Sequence, residues 1–426
     1  MSELIDNRRH RLDALKDMIT RLHGGADPAE LKNRFRAVLD NVGPSEISAL
    51  ETELMAEGMP ETEIRRMCEL HVAAFRDSLE RAPRADAVPG HPVDTFRRDN
   101  EAIVRVVAAY REFVTEFSGA LAGELADPLA ANRIDAAAVA RWRDLHGQIE
   151  RVAAHYARKE YLVFPFLEKA GITAPPKVMW SIDEAIREQI KAATAAAGDA
   201  DELGVADARL IVEVVLLPML DAIAAMVEKE DRVLWPMALE QLADSDWGSV
   251  AEQWAGFPPG LVEPESGWAP PAAALPPPVA AVGNGEVLAL GAGHLTATQL
   301  VAMLNTLPLD LTFVDADDRV AYFSEGPDRI FARNRAIIGR RVADCHPPSS
   351  MHIVERLIAD LRAGRREVAE FWIRLGERFV HIRYFAVRDG AGAYLGCLEM
   401  TQDVAAIRAL AGERRLLDEP AAGGTQ

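Results

Sequence analysis

His155-Tyr-Ala-Arg-Lys-Glu-Tyr-Leu-Val-Phe-Pro165 can be laid over Met226-Val-Glu-Lys-Glu-Asp-Arg-Val-Leu-Trp-Pro236 without a gap. Acidic, apolar, aromatic and proline positions coincide. The helix ahead of each copy matches as well, Asn100-Glu-Ala-Ile103 against Asp183-Glu-Ala-Ile186. Self-similarity of this kind marks one supersecondary unit used twice. The unit here is a helical hairpin, and two of them with pseudo-two-fold symmetry bring equivalent positions face to face across one core.

The helices around the repeat read from their apolar spacing. Val93, Phe96, Asn100, Ile103, Val107, Tyr110, Val114, Phe117 and Leu121 alternate steps of three and four, the seam of a long packed helix. Further helices are expected at about 136–169, 177–197 and 205–243, which completes a four-helix bundle. Before it, the stripe Leu12, Leu15, Ile19, Leu22 ends at Gly24-Gly25, and Asp27-Pro28 starts a second short helix. After it, residues 256–284 hold Phe-Pro-Pro-Gly, Ala-Pro-Pro and Leu-Pro-Pro-Pro, a semi-stiff linker composition.

Beyond the linker the period changes from helical to short strands. Leu311–Val314, Val320–Phe323, Glu370–Ile373, Phe379–Phe385 and Tyr394–Met400 are strand candidates, with turns at Asp315–Asp318 and Arg388-Asp389-Gly390. Helices are expected near Pro327–Phe331 and at about 350–363.

Net charge is −19, from 66 acidic and 47 basic residues, which repels phosphate backbones and argues against nucleic acid as a partner. Three widely spaced cysteines form no disulfide framework and suit a reducing compartment. The start, MSELIDNRRHRL, has no apolar stretch of a signal peptide. The most apolar window, Leu210–Val227, is interrupted by Glu213, Pro218 and Asp221 and reads as a core helix, so no transmembrane segment is expected. The expected location is cytoplasmic, with peripheral membrane association left open.

With "HYARKEYLVFP" as its motif, the span from about 85 to 245 resembles the hemerythrin-like HHE family. "DLTFVDADDRVAYFS" and "FVHIRYFAVRDGAGAYLGCLEMTQDV" resemble the first and last strands of a PAS domain. The expected fold is multidomain. An all-α N-terminal part, made of a small helical domain of unknown function at 1–84 and a hemerythrin-like bundle at 85–250, precedes an α+β PAS domain at 295–410. A Pro-rich linker at 251–294 and a tail at 411–426 complete the division.

The resemblance implies an iron pair held by one His from the first helix of each hairpin and a His and a Glu, one turn apart, from the second. Laid on that pattern, the first-helix positions hold Asn100 and Asp183, the first pair His155 and Lys159 with Glu160 one place on, and the second pair Met226 and Glu230. The implied metal ligands are therefore His155, Glu230, Asp183 and Glu160. A bridged iron pair takes about five to seven ligands, so a haem between His155 and Met226, or a single non-haem iron, is expected instead. The residues also allow His155 as a core histidine and Met226 as core filling. Zinc is a further candidate, through Cys68 and His71 on one helix face, and His91 at a helix start is either a ligand or a cap. Cys345-His346-Pro-Pro-Ser-Ser-Met-His352 reads as a Pro-Pro turn before a capped helix.

No phosphate loop, kinase set or nucleophile elbow is present in the sequence, so no catalytic residue is assigned and the chain is read as a non-enzyme. The expected function is a sensory or regulatory protein. Its bundle would bind iron or haem, and its PAS domain, ligand unknown, would relay the signal to an unknown protein partner and pair copies of the chain into a homo-oligomer. An iron-storing or iron-donating stress protein and a metal-free interaction scaffold are the alternatives.

Overall fold

The computed structural model describes residues 88–126, 134–265, 268–270, 287–290, 292–327, 329–331 and 335–412, with Arg21 and Arg333. The helical domain expected at 1–84, and with it Cys68 and His71, lies outside the described residues, apart from Arg21. The chain divides into two compact units, one helical and one built on a sheet.

In the helical unit, α1 (Pro92–Ala126) is followed by α2 (136–169), α3 (Ala174–Gly198) and α4 (Val205–Gln241), close to the ranges expected. The predicted α1 seam is the face that packs: Val93, Phe96, Asn100, Ile103, Val107, Tyr110, Val114, Phe117 and Leu121 are all buried. The Asp135 carboxylate accepts the Ala137 and Ala138 N–H groups and starts α2. Val205–Gln241 is long and apolar enough to cross a membrane by length and composition. Here Ala208, Val212, Leu216, Leu220, Ile223, Val227 and Leu234 are buried along the bundle side of that helix, the part of a core helix.

Three π-helical turns interrupt α2 and α4, at Lys159–Val163, Val212–Leu216 and Glu230–Leu234. Each stands just ahead of a proline, Pro165, Pro218 and Pro236. A proline inside an α-helix clashes with the carbonyl four residues back and removes a bond, at about 3 kcal/mol. Here the residue before each proline bonds five residues back instead: Phe164 to Lys159, Leu217 to Val212 and Trp235 to Glu230. The wider turn makes room for the ring. The aromatic-proline ending of the repeat thus encodes a π turn, and two of the three begin at charged residues of the bundle core, Lys159 and Glu230.

A short helix α5 (Asp244–Gln253) and a 3-10 turn, Trp254–Gly256, complete this unit. The beginning of the proline-rich stretch is not free of the bundle as its composition suggested. Trp254 and Phe257 are buried, Trp254 against Phe96 (ring centroids 4.8 Å) and Phe257 stacked near Tyr161 (6.2 Å). Residues 257–262 form a strap on the helices.

The sheet unit opens with a two-stranded ribbon, β1 (Val287–Ala289) and β2 (His294–Thr296), and α6 (Ala297–Thr306). Then come β3 (Asp310–Asp315), β4 (Val320–Phe323), α7 (Pro348–Arg362), β5 (Val368–Leu375), β6 (Arg378–Arg388), β7 (Tyr394–Asp403) and α8 (Ala405–Arg408). The five main strands are antiparallel in the order β4-β3-β7-β6-β5, and every expected strand is present. Gly396 is required where β7 meets β3: at φ 151° a Cβ would lie 2.1 Å from the Val314 carbonyl oxygen. The helix expected near Pro327–Phe331 is not formed at the described residues 329–331. The Asp310 carboxylate takes the Phe331 N–H (3.2 Å) and the Arg329 guanidinium (2.8 Å), which holds that segment against the strand end.

Candidate functional site

α2, α3 and α4 each send charged side chains into the bundle centre, and α1 adds one more. Asp183 (α3), Glu230 (α4) and Lys159 (α2) have no exposed surface, and His155 (α2) and Asp99 (α1) have almost none. The His155 ring is held at both nitrogens, Nδ1 2.9 Å from Asp99 Oδ2 and Nε2 2.8 Å from Glu230 Oε2. The Lys159 ammonium donates to Glu230 Oε1 at 2.5 Å and lies 3.0 Å and 2.9 Å from the two oxygens of Asp183. It also sits 4.5 Å from the centre of the Tyr156 ring. Next to this group, Arg187 donates to the buried Glu160.

The charges answer one another. Burial alone would lower the His155 pKa, but the Glu230 charge and hydrogen bonds to Asp99 and Glu230 hold it up at about 9. Burial likewise opposes the charge on Lys159, and Asp183 and Glu230 raise its pKa regardless. Glu230, which burial would raise, is brought down to about 2 by Lys159 and His155. Burial raises Asp183 against the pull of Lys159, and raises Glu160 to about 8 against that of Arg187. Three cations (His155, Lys159, Arg187) thus pair with four carboxyls (Asp99, Glu160, Asp183, Glu230), and a fourth cation, the buried Arg158, also feels the charge of Asp99.

Asp99 also fastens the strap. Its Oδ1 accepts the N–H groups of Leu261 (2.7 Å) and Val262 (2.9 Å), and Arg151 donates to the Gly260 carbonyl. Gly260 is needed there, since a Cβ would stand 2.3 Å from Asp99 Oδ2. Arg158 closes the same end, its guanidinium 4.8 Å from the Trp254 ring centre.

Of the residues singled out from the sequence, His155, Glu230 and Asp183 do meet, joined through Lys159. Glu160 is buried but faces Arg187. Met226 is fully buried in α4, and no polar contact ties it to the cluster. Asn100 turns to Asp231, donating at 2.9 Å. His91 is a helix cap: its Nδ1 accepts the Val93 N–H, and its ring packs between Trp247 and Trp268, with centroids 4.9 and 4.6 Å away. His346 Nδ1 lies 2.8 Å from the Val342 carbonyl, within the turn read from the sequence. Sequence reasoning missed Asp99, Arg187 and the strap. Asp99 was open to discovery, three residues after Phe96 on the same seam.

The donor set does not fit an iron pair or a haem. Both nitrogens of His155 and both oxygens of Glu230 are committed, and Asp183 is spent on an ammonium. The buried oxygens without a hydrogen-bond partner here, Tyr156 OH, Glu160 Oε1, Asn100 Oδ1 and Asp183 Oδ2, the last facing only the Lys159 ammonium, fall short of the about five to seven ligands of an iron pair. Among the described residues no group of three or more His, Cys, Asp or Glu side chains is arranged to hold a metal ion.

Three sequence families match the chain in succession. They are the family of unknown function DUF438 at residues 15–81, the hemerythrin HHE cation binding domain at 91–238 and a PAS domain at 300–405. The C-terminal domain of a Streptococcus mutans protein is similar at 34% identity, over 29% of this chain and 96% of that one, with TM-score 0.28. The PAS domain of a Colwellia psychrerythraea protein aligns at 11% identity, over 26% and 97%, with TM-score 0.22. A sensory box sensor histidine kinase from Vibrio cholerae aligns at 14% identity, over 25% and 89%, with TM-score 0.20. No functionally curated protein matches this chain. The chain thus carries three domains in succession, a DUF438 domain, a hemerythrin HHE domain and a PAS domain.

Proposed function

We propose that the chain is a sensory or regulatory protein in which the buried cluster of the HHE bundle acts on the linker, and the PAS domain passes the signal to a protein partner. One observation carries this reading. An unbroken series of hydrogen bonds runs from Asp183 through Lys159, Glu230, His155 and Asp99 to the backbone of Leu261 and Val262. It begins at the bundle centre and ends on the segment that leads toward the PAS domain. A change of charge or geometry at the centre alters the grip of Asp99, and with it the strap.

The PAS unit supports the role of relay by what it leaves open. Helix α6 has no buried residue, with Val301 and Met303 exposed and Leu307 exposed just beyond its end, apolar surface suited to a second copy of the chain. Edge strand β5 exposes Phe371, Trp372, Ile373 and Leu375, a row suited to a protein partner.

Gly260→Ala tests the coupling without touching a charged residue. The added methyl displaces the Asp99 carboxylate, so the two strap amides lose a charged acceptor. Hydrogen bonds to charged groups contribute about 1.5–3 kcal/mol each, so hydrogen exchange at 257–262 is expected to quicken by at least about tenfold. Asp99→Asn is expected to do the same. Unchanged exchange in both variants would show that the strap is held independently of the cluster and would remove the basis for this reading.

A further inference from the structure

The cluster has the form of a cation site that already holds its cation. Asp183 and Glu230 approach one point from two helices, a neutral aromatic face closes it through Tyr156, and an imidazole stands beside it. At that point lies an ammonium borne by the fourth member of the set, Lys159, whose position in the repeat is that of Glu230. We propose that Lys159 takes the place of a metal ion in this HHE bundle: the centre is completed by a cation of the protein itself and takes up no divalent metal.

The substitution explains the rest of the set. With a bound ammonium supplying the positive charge, a His at position 226 has no ion to bind, and the Met226 found there fills core. Asn100 is likewise free to serve a different bond, to Asp231. His155 keeps its place because the imidazolium satisfies two buried carboxylates at once, a structural part in place of a ligand's. The π turn that begins at Lys159 sets the register of this residue, with Phe164 bonding back to its carbonyl.

The proposal predicts that one substitution creates a site. Lys159→Glu places a carboxylate beside Asp183, Glu230 and His155, four donors of the kind that suit zinc or ferrous iron. Full-length wild type and Lys159→Glu would be dialysed against Zn²⁺, and separately against Fe²⁺ without oxygen, then freed of loose metal and analysed. Wild type is expected to retain far less than one ion per chain and to melt at the same temperature with zinc or with chelator. Lys159→Glu is expected to retain about one ion per chain, to melt higher with zinc than with chelator, and to lose both properties when His155→Ala is added. Lys159→Gln, a milder change, serves if the Glu variant does not fold, and is expected to retain more metal than wild type. Stoichiometric metal in wild type that disappears in His155→Ala would overturn the proposal, as would a folded Lys159→Glu or Lys159→Gln protein that binds none. The proposal rests on the same cluster as the sensory reading, but metal uptake and strap exchange are separate measurements, so either can fail alone.

Discussion

Lys159→Met is expected to destabilise the bundle by about 3–5 kcal/mol, the loss that follows when one partner of a buried ion pair is removed and the other is left charged. The reason is specific to this centre. Lys159 serves two carboxylates that have no exposed surface, Asp183 and Glu230. Without it, Glu230 keeps only His155, and Asp183 keeps only the charge of Arg187 nearby. Adding Asp183→Asn should recover part of the loss, because it removes a carboxyl that has lost its hydrogen-bonded counter-charge. Denaturant unfolding followed by helical circular dichroism reads both effects. A loss below about 1 kcal/mol, the range of an exposed pair, would mean that the ammonium does not hold the centre together.

The second large effect is one of pH. His155 is held up at about 9 in the folded bundle, against 6.5 for an ordinary histidine. A group whose folded pKa is raised stabilises fully below its unfolded pKa and loses that contribution as pH rises through the folded value. The His155 contribution is therefore intact below about 6.5 and gone above about 9. At about 1.4 kcal/mol per unit, it amounts to about 3 kcal/mol as an upper bound. Glu160, raised from 4.5 to about 8, acts in the same direction, since the unfolded chain ionises it first. Glu230, lowered from 4.5 to about 2, contributes fully above about 4.5 and loses that contribution as pH falls through about 2, outside this window. The bundle should thus be more stable at pH 6 than at pH 9.5, and His155→Gln should flatten the difference. Equal stability of wild type at these two values would contradict the charge assignment.

Much of this was legible in the sequence. The gapless overlay of 155–165 on 226–236 predicts two hairpins, and the apolar steps along 93–121 predict the buried face of α1. The overlay also brings His155, Asp183 and Glu230 toward one centre, which is where they lie. What escaped follows from the ways the two hairpins differ. The repeat pairs Asn100 with Asp183, yet the structure sends Asp99 to His155 and Asn100 to Asp231. Adjacent residues near a helix seam compete for the core, and the choice depends on partners distant in sequence. The strap escaped because its prolines dominate its composition, while its docking rests on Phe257, two backbone N–H groups and the Gly260 carbonyl. Pro218, outside the repeat, carried the clue to the π turns: three prolines in long helices each need a local remedy, and each receives the same one.

The family pattern points to iron, and the residues of this chain point to a centre closed by its own cations. A cluster whose imidazole is bonded at both nitrogens, and whose Asp183 and Glu230 already face an ammonium, is poorly suited to storing or donating iron. The most direct measurement is the metal content of the full-length protein, freshly purified from cells grown with ample iron and zinc, together with its absorption spectrum. The account predicts far less than one metal ion per chain, no Soret band and no oxo-bridged iron absorption. One or two iron ions per chain, or a haem, lost on His155→Ala, would contradict it.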